Sequence, residues 1–186
     1  NHVKINLQKP TIDETQFSNP IKKEEIDFTI WGDVQKKDLN KIKLITGERL
    51  KSSWQNIPHV TQFDKADITE LDSIRKLLKK LNKDKNITVS FIPFYIKALV
   101  ATLQNYPEFN SSITNDGKTL IIKNFYNIGI AVDTPNGLMV PVIKNVDRKN
   151  IKKITYELSE LSKKARLGKL VPEDIKGGSF TISSLG

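Results

Sequence analysis

Cysteine is absent from this 186-residue chain, and histidine occurs only twice, as His2 and His59. The absence of cysteine excludes disulfide bonds, thiolate metal sites and a cysteine nucleophile, and it is compatible with a reducing compartment. Because protein zinc sites are usually built from several histidines and cysteines, we expect no metal site here. A self-contained Ser-His-Asp triad could use only His59, with Asp64 or Asp67 orienting its ring, and the geometric demands of a triad argue against one.

The common phosphate-binding and nucleophile motifs are also absent. The chain has neither a Walker-type loop nor Gly-x-Gly-x-x-Gly, and the serines within Thr181–Leu185 do not form a Gly-x-Ser-x-Gly elbow. No apolar run approaches the length of a membrane span, and the N-terminus has no signal-peptide pattern. The first residue is Asn rather than Met, so we expect the chain to begin inside a longer protein. We expect a cytoplasmic location, with the mitochondrial matrix as the open alternative.

Basic residues outnumber acidic ones by 30 to 21, which gives a formal net charge of +9. Such a charge could attract nucleic acid or an anionic cofactor. The basic residues are mostly lysines scattered over predicted helix faces, with few aromatic residues between them, so the pattern does not favour a surface that stacks bases. A basic nucleic-acid-binding protein is the third-ranked alternative, and duplex binding that survives physiological salt would favour it.

Two regions differ in their sequence pattern. Residues 1–27 contain Pro10 and Pro20, mixed charges and no sustained periodicity, which predicts a flexible interdomain linker or arm. Residues 28–186 carry periodic apolar patterns and are long enough to bury a substantial core, so we expect one domain there.

Four stretches have apolar residues at helical spacing and are predicted as helices. Thr69, followed three residues later by Asp72, suits a capped helix start. Ser90 suits the N-cap of a helix that is apolar almost all round, which we expect to be the buried central one. The four predicted helices cover residues 36–54, 69–81, 90–105 and 151–165.

The predicted strands complete an α/β pattern. Residues 58–67 are rich in β-branched and aromatic side chains and are predicted as a strand. Turn signals at Asn115–Gly117 and Thr134–Gly137 predict two hairpins, and an exposed turn is expected at residues 82–86. The strand Ile128–Val132 is apolar on both faces, as buried strands are. The sequence therefore predicts a mixed sheet covered by amphipathic helices.

The last ten residues, Gly177–Gly186, are the most informative stretch. Period-2 alternation predicts a strand with hydroxyl groups on one face and apolar side chains on the other. A row of hydroxyls on an interior strand indicates an active-site strand, although an ordinary strand with a serine-rich end has the same pattern. The hydroxyl face carries Ser179, Thr181 and Ser183, and the apolar face carries Phe180 and Ile182.

Three further residues each have a functional and a structural interpretation. Asp133 ends the buried strand and is either a turn-former or a site residue. His59 follows Pro58, and a single imidazole is more often a hydrogen-bonded structural residue than a chemical one. Arg75 lies off the apolar stripe of its helix, which is the pattern of a solvated surface charge.

Five segments, in the same order, resemble the catalytic domain of the dihydrolipoamide acyltransferases, the core subunits of 2-oxoacid dehydrogenase complexes. The resemblance as a whole runs from about residue 28 to the last residue. The resemblance implies an α/β, chloramphenicol-acetyltransferase-like two-layer sandwich, with a mixed sheet flanked by helices. It also implies trimers that assemble into a larger core with dehydrogenase and dihydrolipoamide dehydrogenase components. The matching segments are Pro58–Leu71, Ser90–Phe94, Asn127–Thr134, Gly137–Ile143 and Gly177–Gly186.

The reaction that the resemblance implies moves an acyl group between coenzyme A and a lipoyl thiol on a separate lipoyl domain. Thr61–Lys65 is most similar to the acetyltransferases of pyruvate dehydrogenase complexes. The position matching the family's oxyanion-binding serine is Ser183, and Ser162 stands where the family often has a polar residue, sometimes an amide. Contacts to coenzyme A carry over to Arg75, Ser90, Asp133, Ser183 and Ser184.

One family feature is missing from the sequence. The His-x-x-x-Asp-Gly motif, whose histidine acts as general base, does not occur in residues 1–186. We therefore expect a catalytic domain that is incomplete at its C-terminus and has negligible acyl-transfer activity by itself. Substantial turnover in an acetyl-transfer assay would contradict this expectation. A non-catalytic scaffold that binds coenzyme A, or a branched-chain or succinyl acyltransferase, are the alternatives.

Overall fold

A computed structural model of the chain describes residues 26–81 and 89–184. The chain divides into two compact units, Asn1–Asp38 and Leu39–Gly186.

The described part of the first unit contains one short 3-10 helix, Phe28–Trp31. The Asp27 carboxylate caps it by accepting a hydrogen bond from the Thr29 amide at 2.9 Å. The predicted linker, residues 1–27, lies almost wholly outside the described residues, so its boundary with the catalytic domain stays a prediction.

The second unit contains five α-helices within its described residues. Two of them begin with an asparagine cap, because the side chains of Asn40 and Asn150 accept hydrogen bonds from amides in the first turn. The four helices predicted from apolar spacing are confirmed. Among the described helices, none combines the length and the apolar character needed to cross a membrane. The helices are α1 (Lys41–Asn56), α2 (Thr69–Leu81), α3 (Ile92–Asn105), α4 (Ile151–Arg166) and α5 (Pro172–Ile175).

Two helix starts differ from the prediction. Phe91, not Ser90, is the N-cap residue of α3, and no side chain caps that end. At α2 the Asp67 carboxylate accepts hydrogen bonds from the Thr69 amide at 2.9 Å and from the Thr69 hydroxyl at 2.6 Å. The charged acceptor thus takes the capping role, and the Thr69 hydroxyl serves as a donor instead.

The prediction of a strand over residues 58–67 is wrong. The segment has no regular secondary structure, and Val60 and Phe63 are 83% and 92% exposed. A strand needs a neighbour to satisfy its backbone groups, and none of the described strands pairs with this segment. A content of β-branched and aromatic residues was therefore not enough to predict a strand here. The turn expected at residues 82–86 lies outside the described residues.

The first predicted hairpin is confirmed. Strands β1 (Ser111–Ile113) and β2 (Leu120–Ile122) pair antiparallel, with Ser112 opposite Ile121. Gly117 closes the turn with a φ of +68°, a conformation that favours glycine.

The second sheet contains three strands, β3 (Ile128–Ile130), β4 (Val142–Ile143) and β5 (Phe180–Ile182), in the order β4-β3-β5. Strand β3 is antiparallel to β4 and parallel to β5. The predicted second hairpin, the mixed sheet and the C-terminal strand are therefore confirmed.

The core lies where α3 and α4 meet the three-stranded sheet. Strand β3 is buried along its whole length, as predicted. Gly129 is required at its centre, because an added Cβ would lie 2.8 Å from the Val140 Cγ1 and 3.1 Å from the Thr181 Oγ1. Helix α3 contributes Ile96, Val100 and Leu103 to the core, and the other members are Ile128, Ile130, Ile143, Val146 and Ile154.

Candidate functional site

The parallel pairing of β3 and β5 builds one edge of the candidate site. Ile130 lies opposite Ile182, and the Ala131 amide donates to the Ile182 carbonyl at 3.0 Å. Because the carboxyl ends of parallel strands meet at the same edge of a sheet, the residues that follow both strands come together there. Asp133 follows β3, and Ser184 follows β5.

A cavity of about 650 Å³ opens at this edge, between the ends of the strands, the start of α3 and one face of α4. Three of the five predicted coenzyme A contacts, Ser90, Asp133 and Ser184, line it together with Ser162. The remaining lining residues are Ile92, Ile130, Ala131, Val132, Thr155, Leu158, Ser159 and Arg166.

Helix α4 supplies a complete wall of the cavity. Thr155, Ser159, Ser162 and Arg166 are spaced by four, three and four residues, so they lie on one helix face. The wall from Thr155 to Arg166 is about 16 Å long at the rise of an α-helix. The cavity is therefore an elongated groove with hydroxyl groups along one side.

The opposite side of the cavity combines apolar and polar residues, because Ser90, Asp133 and Ser184 lie there beside apolar side chains. Ile130 and Val132 of the β3 segment are buried, and Ile92 of α3 is partly buried. Counted over the whole cavity, the lining consists of five apolar residues, five hydroxyl side chains, one carboxylate and one guanidinium. Polar residues thus make up more than half of the lining, which suits a ligand that carries many hydrogen-bonding groups.

Ser183 is exposed, directly follows β5, and is not a lining residue of the cavity. In β5, Thr181 is exposed while Phe180 and Ile182 are partly buried, so the predicted separation of a hydroxyl face from an apolar face is confirmed. Ser183 lies directly between that strand and Ser184. Its role in catalysis stays a prediction.

Arg75 lies outside the cavity, on α2. Its Nε and Nη2 atoms donate to the Asp72 Oδ1 at 2.9 Å and 2.6 Å, and its guanidinium carbon lies 4.6 Å from the Phe91 ring centroid. The side chain is only 21% exposed, so the interpretation of a solvated surface charge is wrong. Hydrogen bonds from Lys76 and then Arg75 hold the pKa of Asp72 below its ordinary value.

His59 is exposed and lies against α1 rather than in the cavity. Its ring stacks on Trp54 with the centroids 5.1 Å apart, and its Nδ1 lies 2.6 Å from the Ile57 carbonyl oxygen. The Asp64 carboxylate accepts from the Lys65 amide. The contacts with Trp54 and Ile57 give His59 a structural environment.

Most of the polar face of α4 was not predicted from the sequence. Residues 151–165 were predicted as an amphipathic helix from their apolar stripe, and the family resemblance marked only Ser162 on the polar face. The polar residues Ser159 and Arg166 follow the same helical period on another face, and that pattern could have indicated a polar wall. Within the described residues, no group of three or more histidine, aspartate or glutamate side chains could hold a metal ion.

A second cavity, of about 770 Å³, lies beside the start of α4. Its lining includes Leu78, Val89 and Lys97 but none of the predicted site residues. We therefore take the groove along α4 as the candidate site.

Comparison with known proteins gives a consistent result. The family model for the catalytic domain of the 2-oxoacid dehydrogenases acyltransferase matches residues 32–186. Two similar curated relatives are dihydrolipoyllysine-residue acetyltransferase components of pyruvate dehydrogenase complexes. The one from Haemophilus influenzae is 51% identical over 164 residues, and the one from Cupriavidus necator is 51% identical over 162 residues. Each match covers 87% of this chain but only 29% of the relative.

Solved structures are similar over nearly the same region. A dihydrolipoamide acetyltransferase from Azotobacter vinelandii, in which the catalytic roles of a serine, a histidine and an asparagine were investigated, matches with a TM-score of 0.85 and 42% identity. The match covers 88% of this chain and 67% of that one. The cubic core of a pyruvate dehydrogenase multienzyme complex matches with a TM-score of 0.84 and 42% identity, covering 87% and 67% of the two chains. The likeness confirms the predicted fold class.

Proposed function

This chain belongs to the 2-oxoacid dehydrogenase acyltransferase family, and from that premise we propose that it binds coenzyme A in the groove along α4 as part of an acetyltransferase. One observation carries the proposal: the groove unites Ser90, Asp133 and Ser184, which the family resemblance marks as coenzyme A contacts from three distant parts of the sequence. The chain spans 29% of the curated relatives, so the activity of the whole protein is proposed with it.

The groove suits the long thiol-bearing arm of coenzyme A. That arm carries amide and hydroxyl groups along an otherwise apolar chain, and the groove offers both hydroxyl groups and apolar side chains to it. Ser159 and Ser162 carry hydroxyl groups, which can both donate and accept hydrogen bonds with such a ligand. A length of about 16 Å along α4 accommodates an extended ligand rather than a compact one.

Ser183 is the proposed oxyanion-binding residue. Acyl transfer builds negative charge on the carbonyl oxygen of the thioester, and one fixed donor lowers such a barrier by about 3–4 kcal/mol. Ser183 follows a strand held in register against β3, which restricts its backbone. Its exposure outside the groove agrees with a hydroxyl that serves a site shared with a neighbouring subunit.

Arg75 is the proposed partner of a coenzyme A phosphate. Asp72 takes two of its N–H groups at one oxygen, which leaves three of the five guanidinium N–H donors for a ligand. The Phe91 ring beneath it adjoins Ser90, which lines the groove. Arg75 therefore lies close to the start of α3, next to the residue that follows Ser90 in the chain.

The acetyl group and the assembly are proposed from the relatives. Both curated relatives are named as acetyltransferase components of pyruvate dehydrogenase complexes, which supports acetyl over branched-chain and succinyl groups. A solved relative is the cubic core of such a complex. We extend the proposal to a homo-oligomeric core that receives the acetyl group from a lipoyl thiol.

Calorimetric titration of coenzyme A into the purified chain tests the site. Ser162→Phe places a large ring in the groove and is expected to abolish binding. Lys163→Phe adds the same ring on a neighbouring face of α4, outside the groove, and is the matched control. Equal binding by the wild-type chain and Ser162→Phe would show that coenzyme A does not use this groove.

A further inference from the structure

The charges on the groove wall are few. Of its twelve lining residues, only Asp133 and Arg166 carry an ionisable side chain. Asp133 lies at the sheet edge, whereas Arg166 lies at the C-terminal end of α4. One end of the wall therefore presents a cation.

Helical periodicity places Arg166 on this wall. It continues the face of Ser159 and Ser162, whereas the two neighbouring lysines lie elsewhere. The Lys164 ammonium lies 3.5 Å from the Asp174 carboxylate. Lys163 is exposed and is not a lining residue of the groove. Among Lys163, Lys164 and Arg166, Arg166 is thus the cation on the groove face of α4.

The guanidinium of Arg166 is available to a ligand. Within residues 26–81 and 89–184, it has no hydrogen bond or ion pair, whereas Arg75 pairs with Asp72 and Arg148 pairs with Asp147. A guanidinium has five N–H donors in a planar fork that matches phosphate oxygens. A cation in a last helical turn also interacts favourably with the helix dipole, but that role does not require the groove face.

We propose that Arg166 binds a phosphate group of the ligand in this groove and so selects phosphorylated over unphosphorylated thiols. The inference rests on the proposed function, which supplies coenzyme A as the ligand. The hydroxyls of α4 would contact the neutral arm, and Arg166 would contact the charged end. The sequence resemblance assigns no role to this residue.

The test compares two ligands and three variants by calorimetric titration. Coenzyme A carries the phosphates, and pantetheine is the same thiol arm without them. Arg166→Gln is expected to weaken coenzyme A binding by about 10- to 100-fold, the range for a lost hydrogen bond to a charged group. Pantetheine affinity should change by less than about 2-fold, and Arg166→Lys should recover part of the loss.

Lys163→Gln is the matched control, because it removes one positive charge from the same turn of α4 but not from the groove. If it weakens coenzyme A binding as much as Arg166→Gln does, the effect is long-range charge attraction and the proposal is overturned. Unchanged coenzyme A affinity in Arg166→Gln also overturns it. Equal losses for coenzyme A and pantetheine would indicate a damaged groove and would likewise contradict a phosphate contact.

A second measurement separates this inference from the proposed function. If the wild-type chain binds neither coenzyme A nor pantetheine, the proposed function fails. Pyrophosphate is then titrated while the Nε–Hε signal of Arg166 is followed by NMR. A shift that persists in Lys163→Gln supports a phosphate site of another ligand, and the absence of any shift overturns the inference as well.

Discussion

The guanidinium carbon of Arg75 lies 4.6 Å from the ring centroid of Phe91, the N-cap residue of α3. Phe91 in turn stacks on Tyr95 with the centroids 6.0 Å apart. Together with the Asp72 carboxylate, these rings hold the Arg75 guanidinium near Ser90, and Ser90 lines the groove. A stacked and ion-paired arginine loses less conformational freedom on binding a phosphate than a free one does.

Asp72→Asn is therefore expected to weaken coenzyme A binding by about 5-fold, the equivalent of an orienting contact of about 1 kcal/mol. Lys76 also pairs with Asp72, at 2.8 Å, so Lys76→Gln is the control and should leave the affinity within about 2-fold. Long-range electrostatic attraction alone would give the opposite order of coenzyme A affinities, because Asp72→Asn adds net positive charge and Lys76→Gln removes it. Calorimetric titration of both variants distinguishes the two explanations.

Thr69→Val is expected to raise the pKa of Asp67. Hydrogen bonds from the Thr69 hydroxyl and then its amide lower that pKa from the ordinary value of 3.8, and valine keeps the shape while removing the hydroxyl donor. Because the folded-state pKa is lowered, the ionised carboxylate stabilises the fold above the ordinary value. That contribution is lost as the pH falls through the folded-state value, and in Thr69→Val it should be smaller.

An NMR titration of the aspartate carboxyl carbons, from about pH 6 to pH 2, measures the shift directly. Asp116 is the internal control, because a hydrogen bond from Thr114 lowers its pKa in the same way. The Asp116 curve should be the same in both proteins. An Asp67 curve that also coincides in both would contradict the role assigned to the Thr69 hydroxyl.

Gly129→Ala is expected to destabilise the chain by about 1–3 kcal/mol, because its Cβ would overlap the Val140 side chain at 2.8 Å inside the sheet. Gly47→Ala is the opposite case. Gly47 lies within α1, and nothing lies within 4 Å of an added Cβ. That variant should gain about 1 kcal/mol from helix propensity. Urea unfolding of the two variants should therefore move the midpoints in opposite directions.

Local patterns predicted most of the fold. Strands β3 and β5 and helix α4 each have a period that depends only on neighbouring residues, and each forms where the pattern indicates. The strand prediction for the segment around Val60 and Phe63 failed because a strand needs a partner strand, which can be distant in sequence and is not revealed by composition.

The candidate site was predictable only in part. The resemblance marked Ser90, Asp133 and Ser184, but the groove that joins them arises from pairing between β3 and β5, which lie some 50 residues apart. Arg166 was not predicted as a site residue, because a cation in the last turn of a helix is already explained by its favourable interaction with the helix dipole. Its place on the groove wall requires the three-dimensional packing of α4 against the sheet.

Lys97 stabilises the turn that leads into α4. Its Nζ lies 3.1 Å from the Lys149 carbonyl oxygen and 3.4 Å from those of Val146 and Asp147. Lys97→Met keeps the aliphatic stem but leaves three carbonyls without this donor. We expect a loss of about 1–3 kcal/mol in the free energy of unfolding, measured by urea titration.

Lys79→Met, at an exposed position in the last turn of α2, is the control and should change stability by less than about 0.5 kcal/mol. Lys97→Arg should recover part of the loss if donation to the carbonyls is the cause, because a guanidinium supplies donors from a stem of similar length. The same loss in Lys97→Arg and Lys97→Met would instead assign the stabilisation to the packing of an unbranched side chain. Because the turn positions the start of the α4 wall, Lys97→Met should also weaken coenzyme A binding, and an unaffected affinity would show that the groove is independent of this turn.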